Sequence, residues 1–186
     1  MKLLWFPENP GLRVNSGQEC LPTCRLAVET AIVRRGTPLF LPGWCDAWSG
    51  IVGIGVVVER LGRHIDERFA GRYYSRAVLA VKAVPKDLGN VGPECSDALF
   101  SLDGSVLVSA PFALSDICKV CDAAGICLDV DFAGVFDSAV SSASRAFTLH
   151  TGDIVIAGEA CALPLVPDTR LEFSVDECAI LSHKIK

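Results

Sequence analysis

Lys82 is the residue whose type and setting point most directly to chemistry. It stands in the stretch YYSRAVLAVKAVPKDL, where the nearly continuous apolar run from Ala77 to Val84 predicts a strand buried on both faces. A buried ammonium is costly unless a partner compensates its charge, and desolvation lowers the pKa of the amine. Either the end of this strand faces a polar pocket, or Lys82 replaces a residue that such a pocket once held.

The nine cysteines are a second set of residues that could do chemistry. The close spacings are Cys20-x3-Cys24 and Cys118-x2-Cys121, with Cys127 further on, and they leave a zinc site or a redox pair as alternatives. A structural zinc site usually has two close pairs or one pair followed by spaced histidines, which the three scattered histidines do not supply. A reactive Cys-x-x-Cys usually lies at a helix N-terminus, whereas this pair falls late in a predicted helix. We interpret the cysteines as buried and reduced.

Two further polar patterns have structural interpretations. The alternation LDVDF puts Asp129 and Asp131 on one face of a strand, where solvated edge carboxylates are the simplest explanation. His150, beside TGD, is interpreted as a turn residue, and no nucleophile-elbow motif supports a Ser-His-Asp triad.

The elements that would position Lys82 are mostly strands. Gly and Pro punctuate short apolar runs, which predicts strands over 3–6, 51–58, 77–84, 106–108, 126–132, 154–157 and 171–175. Helices are predicted in HIDERFAGRYYS, with a stripe of Ile65, Phe69 and Tyr73, in LSDICKVCDAAG between Ser115 and Gly125, and over 139–147. The chain is therefore predicted to be all-β or β-dominated.

Composition limits the classes of protein. The 186 residues suffice for one domain over 1–186, and 51% are hydrophobic, as in a globular chain. The net charge is −5 with no basic cluster, so we expect no nucleic-acid partner. Because no stretch approaches the roughly 20 apolar residues of a membrane helix and the start has no signal-peptide core, we expect a cytoplasmic, soluble protein.

Three ordered blocks resemble the fumarylacetoacetate hydrolase family, which includes oxoacid hydrolases and isomerases: RLGRHIDERFAGRYYSRAVLAVKAVPKDL, LDGSVLVS and SRAFTLHTGDIVIAGEACAL. GTPLFLP also resembles the family's segment before its first metal-binding strand. The resemblance implies a β-dominated α+β fold, a mixed β-sandwich roll of the fumarylacetoacetate-hydrolase type. It covers a core of residues 31–186 after a divergent N-terminal segment of residues 1–30, and it implies a homodimer and a divalent cation, magnesium or manganese.

The family's cation-binding residues do not carry over to this sequence. The resemblance puts the family's Glu-x-Glu pair on Ile51 and Gly53 and its later aspartate on Lys82. Because hard divalent cations require carboxylate or other oxygen ligands, we expect no magnesium or manganese to bind here. An ammonium in place of a carboxylate requires a partner anion, and Glu159 is the candidate.

The family's substrate-side residues also differ. IVIAGEACAL resembles the family's TGTP segment, but only Gly158 matches, and Glu159 replaces a threonine. LDGS puts Phe100 at the position of the family's substrate-binding lysine. The residues left as a candidate pocket are Lys82, Glu159, Gly158 and Asp103.

Two functions follow as hypotheses. The first is a member of this family that has lost the metal ligands and acts without catalysis as a binding, regulatory or structural protein, with a small anionic ligand. The second is an active hydrolase, isomerase or decarboxylase on a small 2-oxo or 1,3-dicarbonyl acid, metal-free and with Lys82 as electrophile.

Overall fold

A computed structural model describes residues 1–8, 23–86, 98–114, 120–122, 127–128, 134–175 and 177–186. Strands dominate these residues: β1 Lys2–Phe6, β2 Arg25–Val28, β3 Trp48–Val57, β4 Arg76–Pro85, β5 Val106–Val108, β6 Phe112–Ala113, β7 Val120–Asp122, β8 Cys127–Leu128, β9 Ile154–Leu165, β10 Arg170–Val175 and β11 Cys178–Lys184. The α-helices are α1 Glu67–Ala70 and α2 Val135–Ala146, with a 3-10 turn at Glu29–Ala31.

Most of the described strands form one mixed sheet. Its order is β2-β1-β9-β3-β4-β5, with β6 beside β4. β1 and β9 are parallel, and the neighbouring pairs are antiparallel. A smaller antiparallel sheet has the order β11-β10-β7-β8. The predicted β-dominated α+β class with mixed sheets is therefore confirmed.

The two faces of the large sheet bury different sets of side chains, because successive residues of a strand point to opposite faces. On one face, Val52, Ile54 and Val56 of β3 join a large core that also includes residues of α2 and the second sheet. The other face buries what we call the smaller cluster, whose members are Leu3, Trp5, Ala27, Ala31, Val78, Ala80, Phe100, Val106, Ile154 and Ile156. The candidate residues of β3 and β4 lie on this second face.

The helix predictions met three different outcomes. The helix predicted over 139–147 is confirmed as α2, which ends at Ala146 before Phe147. α1 is much shorter than predicted, and Phe69 of its expected apolar stripe is exposed while Ile65 is buried. The helix predicted through 114–125 is wrong at Val120–Asp122, which pairs with β10 as a strand. Residues 115–119 and 123–126 lie outside the described residues.

The N-terminal segment contributes more to the sheet than the sequence indicated. β1 lies between β2 and β9, and its residues Leu3 to Phe6 are buried. Asp153, in the turn before β9, accepts hydrogen bonds from the Lys2 N–H, the Lys2 ammonium and the His150 N–H. Burial alone would raise the pKa of Asp153, but these bonds and the Lys2 charge outweigh it and lower that pKa. They tie β1 to β9.

No helix among the described residues is long and apolar enough to cross a membrane.

Gly55 is a position where β3 and β9 approach too closely for any side chain. A Cβ atom at Gly55 would lie 2.0 Å from Val155 O and 2.6 Å from Ile156 Cα, both backbone atoms. We expect Gly55→Ala to lower the free energy of unfolding by about 2 kcal/mol or more, because the strands must separate. Urea unfolding measures this change. Gly43→Ala is the matched control, since a Cβ there would meet nothing within 4 Å; equal stability of the two variants would contradict the close approach.

Candidate functional site

Lys82 is completely buried, with 0% of its surface exposed. It is on β4 with Ala80 and Val78 on the same face, so its side chain lies beside the smaller cluster. Its Nζ donates a hydrogen bond to Ser105 Oγ and lies 5.4 Å from the centre of the Phe100 ring. The lysine is therefore held by a hydroxyl and an aromatic face.

Ser105 links Lys82 to the turn before β5. Its hydroxyl donates to Leu102 O, and its own carbonyl accepts from the Ala83 N–H at 2.8 Å. Ser105 is itself buried. The chain Lys82–Ser105–Leu102 satisfies one of the three donors of the ammonium, and the Phe100 ring contributes a cation–π contact.

Phe100 lies against two cations. The Arg25 guanidinium is 5.6 Å from the centre of its ring, and Lys82 Nζ is at a similar distance. Trp5 meets the same ring edge to face at 5.7 Å. The sequence put Phe100 at the position of the family's substrate-binding lysine, and the ring packs on Lys82 in that region.

The three positions expected to correspond to the family's metal ligands come together on one face. Ile51 of β3 is directly opposite Lys82 of β4, and Gly53 is two residues further along β3. A Cβ atom at Gly53 would lie 2.6 Å from Ile156 Cγ2 and 2.8 Å from Trp5 Cζ2. The Trp5 indole thus occupies the space into which a side chain at Gly53 would project.

Glu159 does not pair with Lys82. Its carboxylate accepts a hydrogen bond of 3.1 Å from Trp5 Nε1, and the side chain is exposed. Glu159 is opposite Gly53 on β9, so β3 separates it from Lys82 and the two strands that bear them are about 10 Å apart. The expected ion pair is therefore wrong, because the intervening strand keeps the two side chains apart.

The other two candidate pocket residues lie at the surface of this region. Gly158 has φ +136° beside Glu159, with nothing near its missing Cβ. Asp103 is exposed in the turn before Ser105. Neither makes a contact with Lys82 that would create a polar pocket around the ammonium.

Burial lowers the pKa of Lys82 from 10.5 to about 7. No carboxylate among the described residues forms an ion pair with it, so no counter-ion offsets the loss of hydration. Near neutral pH the amine and the ammonium are both populated.

The described residues contain no group of three or more His, Cys, Asp or Glu side chains that could hold a metal ion. Cys24, Cys45 and Cys178 form no disulfide. Burial raises the pKa of Cys24 to about 11, so its thiol is a poor nucleophile at neutral pH. Cys20, Cys118, Asp129 and Asp131, and the side chains of Cys121 and Cys127, lie outside what the structure describes.

A concave region lies away from Lys82, on the opposite side of the large sheet beside α1 and α2. This groove has a volume of about 410 Å³ and is lined by His64, Ile65, Asp66, Glu67, Ser141 and Arg145. Asp66 forms an ion pair with Arg68, and the hydroxyl of Ser141 donates to Ile65 O. The lining of this groove contains both acidic and basic side chains, so its charge does not indicate which class of ligand would bind there.

Three residues of the Lys82 region were missed by the sequence analysis. Trp5 and Arg25 belong to the segment set aside as divergent, and Ser105 was included only as a member of the LDGSVLVS block. Ser105 precedes Val106, which pairs directly with Lys82. The signal in the sequence was the Ser105 hydroxyl directly before β5, the strand that pairs with the buried lysine. No comparable signal in the sequence indicated Trp5 or Arg25.

Comparisons with solved structures agree with this architecture. A candidate fumarylpyruvate hydrolase from Burkholderia cenocepacia has a TM-score of 0.75 at 18% identity, covering 100% of this chain and 88% of that chain. The fumarylpyruvate hydrolase from Pseudomonas aeruginosa, in complex with Mn²⁺ and pyruvate, gives 0.71 at 15%, covering 99% and 88%. The 2-hydroxyhepta-2,4-diene-1,7-dioate isomerase from Mycobacterium marinum gives 0.72 at 16%, covering 99% and 73%.

This chain has the fumarylacetoacetate hydrolase fold. The match with the Burkholderia protein covers 100% of this chain, so it includes strands β1 and β2, which precede the part covered by the sequence resemblance. Comparison with family models and with curated proteins gives no match. At 15 to 18% identity, the fumarylacetoacetate hydrolase fold is what these structures share with the chain.

Lys82→Met tests the cost of the buried ammonium. The Lys82 amine titrates near pH 10.5 in the unfolded chain and near pH 7 in the folded protein. The free energy of unfolding of the wild type should therefore rise by about 1.4 kcal/mol per pH unit between pH 7 and 10.5, and should not change with pH below 7. Methionine has nearly the length of lysine but no charge. We therefore expect Lys82→Met to raise the free energy of unfolding on the order of 3 kcal/mol at pH 7 and to remove its rise with pH.

Urea unfolding at pH 7, 8 and 9 measures both quantities, as the difference between wild type and variant. Lys86→Met is the matched control because Lys86 is an exposed lysine just after β4. A variant whose pH dependence equals that of the wild type would show that Lys82 keeps its ordinary pKa.

Proposed function

We propose that this chain is a member of the fumarylacetoacetate hydrolase family that binds no divalent metal and acts as a non-catalytic binding or regulatory protein. The observation that carries the proposal is the composition of one surface of the large sheet. Ile51 faces Lys82 across β3 and β4, and the Trp5 ring fills the space above Gly53. Side chains that could hold a cation are replaced there by an alkyl group, an indole and an amine.

The donor set at these positions does not fit a hard divalent cation. Magnesium and manganese require oxygen ligands, and a cation beside the Lys82 ammonium would be repelled. Metal-assisted turnover of oxoacids uses the ion to polarise a carbonyl and to stabilise the developing charge. Ile51, Gly53 and Lys82 supply no ligand for such an ion.

A small anionic ligand is the partner that the local charges favour. Lys82 and Arg25 bring two positive charges to the Phe100 ring, and the carboxylate of Glu159 accepts a hydrogen bond from Trp5. The complex of the Pseudomonas protein contains pyruvate, which is also a small carboxylate. A homodimer, implied by the resemblance, and a cytoplasmic location, predicted from the sequence, complete the proposal.

A second candidate function follows from the lowered pKa of Lys82. An amine with a pKa of about 7 can form a Schiff base with a 2-oxo acid without any metal. Against this function stands the complete burial of the amine. Borohydride trapping with pyruvate, followed by mass spectrometry, decides between the two, since a reduced adduct at Lys82 would favour the enzyme.

The proposal predicts that Mg²⁺ and Mn²⁺ do not stabilise the protein. A ligand that binds only the folded state at 100 times its Kd adds about 2.7 kcal/mol, which thermal unfolding detects readily. We expect no shift of the midpoint with either metal at millimolar concentration. A metal-dependent shift would sink the proposal, because it would require a site built from other residues.

A gain-of-binding variant tests whether Ile51 and Lys82 are the equivalent positions. Residues directly opposite in an antiparallel pair have Cβ atoms about 5 Å apart, so Ile51→Glu with Lys82→Asp would put two carboxylates within reach of one cation. We expect the double variant to gain Mn²⁺-dependent stabilisation. The control is Ile51→Gln with Lys82→Asn, which has the same shapes without charge. If both variants fold and neither responds to Mn²⁺, the assignment of these positions is wrong.

A further inference from the structure

Five of the eleven arginines of the chain lie within residues 60–76, which we call the arginine loop. They are Arg60, Arg63, Arg68, Arg72 and Arg76, and all five are exposed. None of the six lysines lies in this segment. Relative to the rest of a protein surface, interfaces with other proteins are enriched in arginine and depleted in lysine. The composition of the arginine loop is therefore typical of an interface.

Hydrogen bonds fix the arginine loop in one conformation. The Glu59 N–H donates to Tyr73 O at 2.7 Å and closes the base of the loop. The backbone of Ile65, which is buried, is held by two serines of α2: its N–H donates to Ser144 Oγ and its carbonyl accepts from Ser141 Oγ, both at 2.8 Å. A partner therefore meets a preformed surface, and little entropy is lost in ordering it.

Two arginines of the loop stack on the ring of Phe69. Arg68 Cζ lies 4.6 Å and Arg72 Cζ lies 4.7 Å from the centre of the ring. A stacked guanidinium keeps its N–H groups available in its own plane, where they match the two oxygens of a carboxylate. Arg68 already pairs with Asp66 at 3.3 Å. Arg72 is thus the stacked guanidinium that is positioned for a carboxylate from another molecule.

Acidic side chains balance only part of the charge of the loop. Glu59 pairs with Arg76 at 3.0 Å, as Asp66 does with Arg68. Glu67 lines the groove beside α2. The arginines of the loop that form no ion pair with any described residue are Arg60, Arg63 and Arg72. The loop is therefore locally positive on a chain whose net charge is −5.

The charges of α2, which packs against α1 of the loop, do not change this sign. Asp137 accepts a hydrogen bond of 2.8 Å from the Tyr74 hydroxyl. Arg145 lines the same groove as His64 and Glu67. One acidic and one basic residue of α2 thus face the loop, and their charges cancel.

The loop also exposes two large apolar side chains. Leu61 is 65% exposed and Phe69 is 38% exposed, which is unusual for residues of these types. Exposed apolar groups beside arginines without ion pairs are favourable contacts for a partner that has both carboxylates and apolar side chains.

We propose that the arginine loop is a docking surface for an acidic segment of a partner protein, with carboxylates bound at Arg63 and Arg72 and an apolar side chain at Leu61. This inference goes beyond the proposed function, because it assigns a macromolecular partner to a surface away from Lys82. The partner is a protein segment rich in Asp or Glu with apolar side chains between them.

Two other classes of anionic partner fit this surface less well. Single-stranded nucleic acids stack their bases on aromatic rings, but Arg68 and Arg72 already stack on Phe69. A helix that binds a membrane surface has an extended apolar face, whereas α1 has only four residues. Both partners also carry extended negative charge, which a chain of net charge −5 repels outside the loop.

Fluorescence anisotropy with a short labelled peptide tests the docking surface. The probe is a synthetic peptide in which pairs of glutamates alternate with leucines, and its counterpart has glutamine in place of every glutamate. We expect the acidic peptide to bind the wild-type protein and the glutamine peptide to bind at least tenfold more weakly. Raising the salt concentration from about 0.05 M to about 0.3 M should also weaken the binding, because these charges are exposed.

Charge reversal at two arginines locates the binding. Arg63→Glu with Arg72→Glu should lower the affinity for the acidic peptide at least tenfold. The matched control is Arg34→Glu with Arg35→Glu, which makes the same change of charge at exposed arginines outside the loop and should have little effect. If the first variant fails to fold, Arg63→Gln with Arg72→Gln replaces it. Leu61→Ser leaves the charge unchanged and should weaken binding several-fold.

Three results would contradict the docking surface. No binding of the acidic peptide, or equal losses in the two charge-reversal variants, overturns it, since the effect would then be one of net charge alone. An unchanged affinity in Leu61→Ser overturns the apolar contact. Tighter binding of a single-stranded oligonucleotide or of anionic phospholipid vesicles, lost in Arg63→Glu with Arg72→Glu, overturns the choice of a protein partner. None of these variants alters Lys82, so failure here is distinct from failure of the proposed function.

Discussion

The absence of side chains at two positions of β3 determines how the centre of the large sheet is assembled. At Gly55 the backbone of β9 approaches β3 so closely that a methyl group would overlap it, and at Gly53 the Trp5 ring and Ile156 occupy the place of a side chain. β9 can therefore pair closely with β3, and the N-terminal strand β1 lies on the other side of β9, between β9 and β2. The cost is that no functional group can project from Gly53.

The same arrangement explains why a lysine is tolerated on this face. Trp5 packs on Phe100, Phe100 packs on Lys82, and Ser105 accepts the hydrogen bond of the ammonium. This set of contacts gives the charge partial compensation but no counter-ion, so burial shifts the protonation equilibrium instead. The fold thus holds a completely buried amine without a counter-ion among the described residues.

The sequence was sufficient where one pattern dominates a segment. The apolar runs of β3 and β4 and the continuous pattern of α2 predicted the elements that bear the site, because strong periodicity leaves little choice. The helix predicted around Val120 is wrong because Val120–Asp122 can also form a short strand, and β10 is available to pair with it. Local signals cannot tell which long-range partner is available.

The site itself could be predicted only in part, because the sequence does not show how far apart residues on different strands lie. The resemblance named Ile51, Gly53 and Lys82, and the register of two adjacent strands brings these three residues side by side. Glu159 was assigned to Lys82 by charge alone, yet it stands one strand too far away and bonds to Trp5. The order of the strands in a sheet cannot be predicted from the spacing of residues along the chain.

The position of Lys82 in the sheet bears on what its side chain can do. Ile51 and Lys82 are directly opposite on β3 and β4, so an alkyl side chain and an amine lie side by side on one face. If the cluster contributed only to stability, an apolar side chain such as that of methionine at position 82 would cost less free energy than a buried amine. The amine contacts the Phe100 ring and the Ser105 hydroxyl, which are themselves buried. Burial of Lys82 therefore costs stability that an apolar side chain would not cost, and this argues that the amine serves binding and not packing.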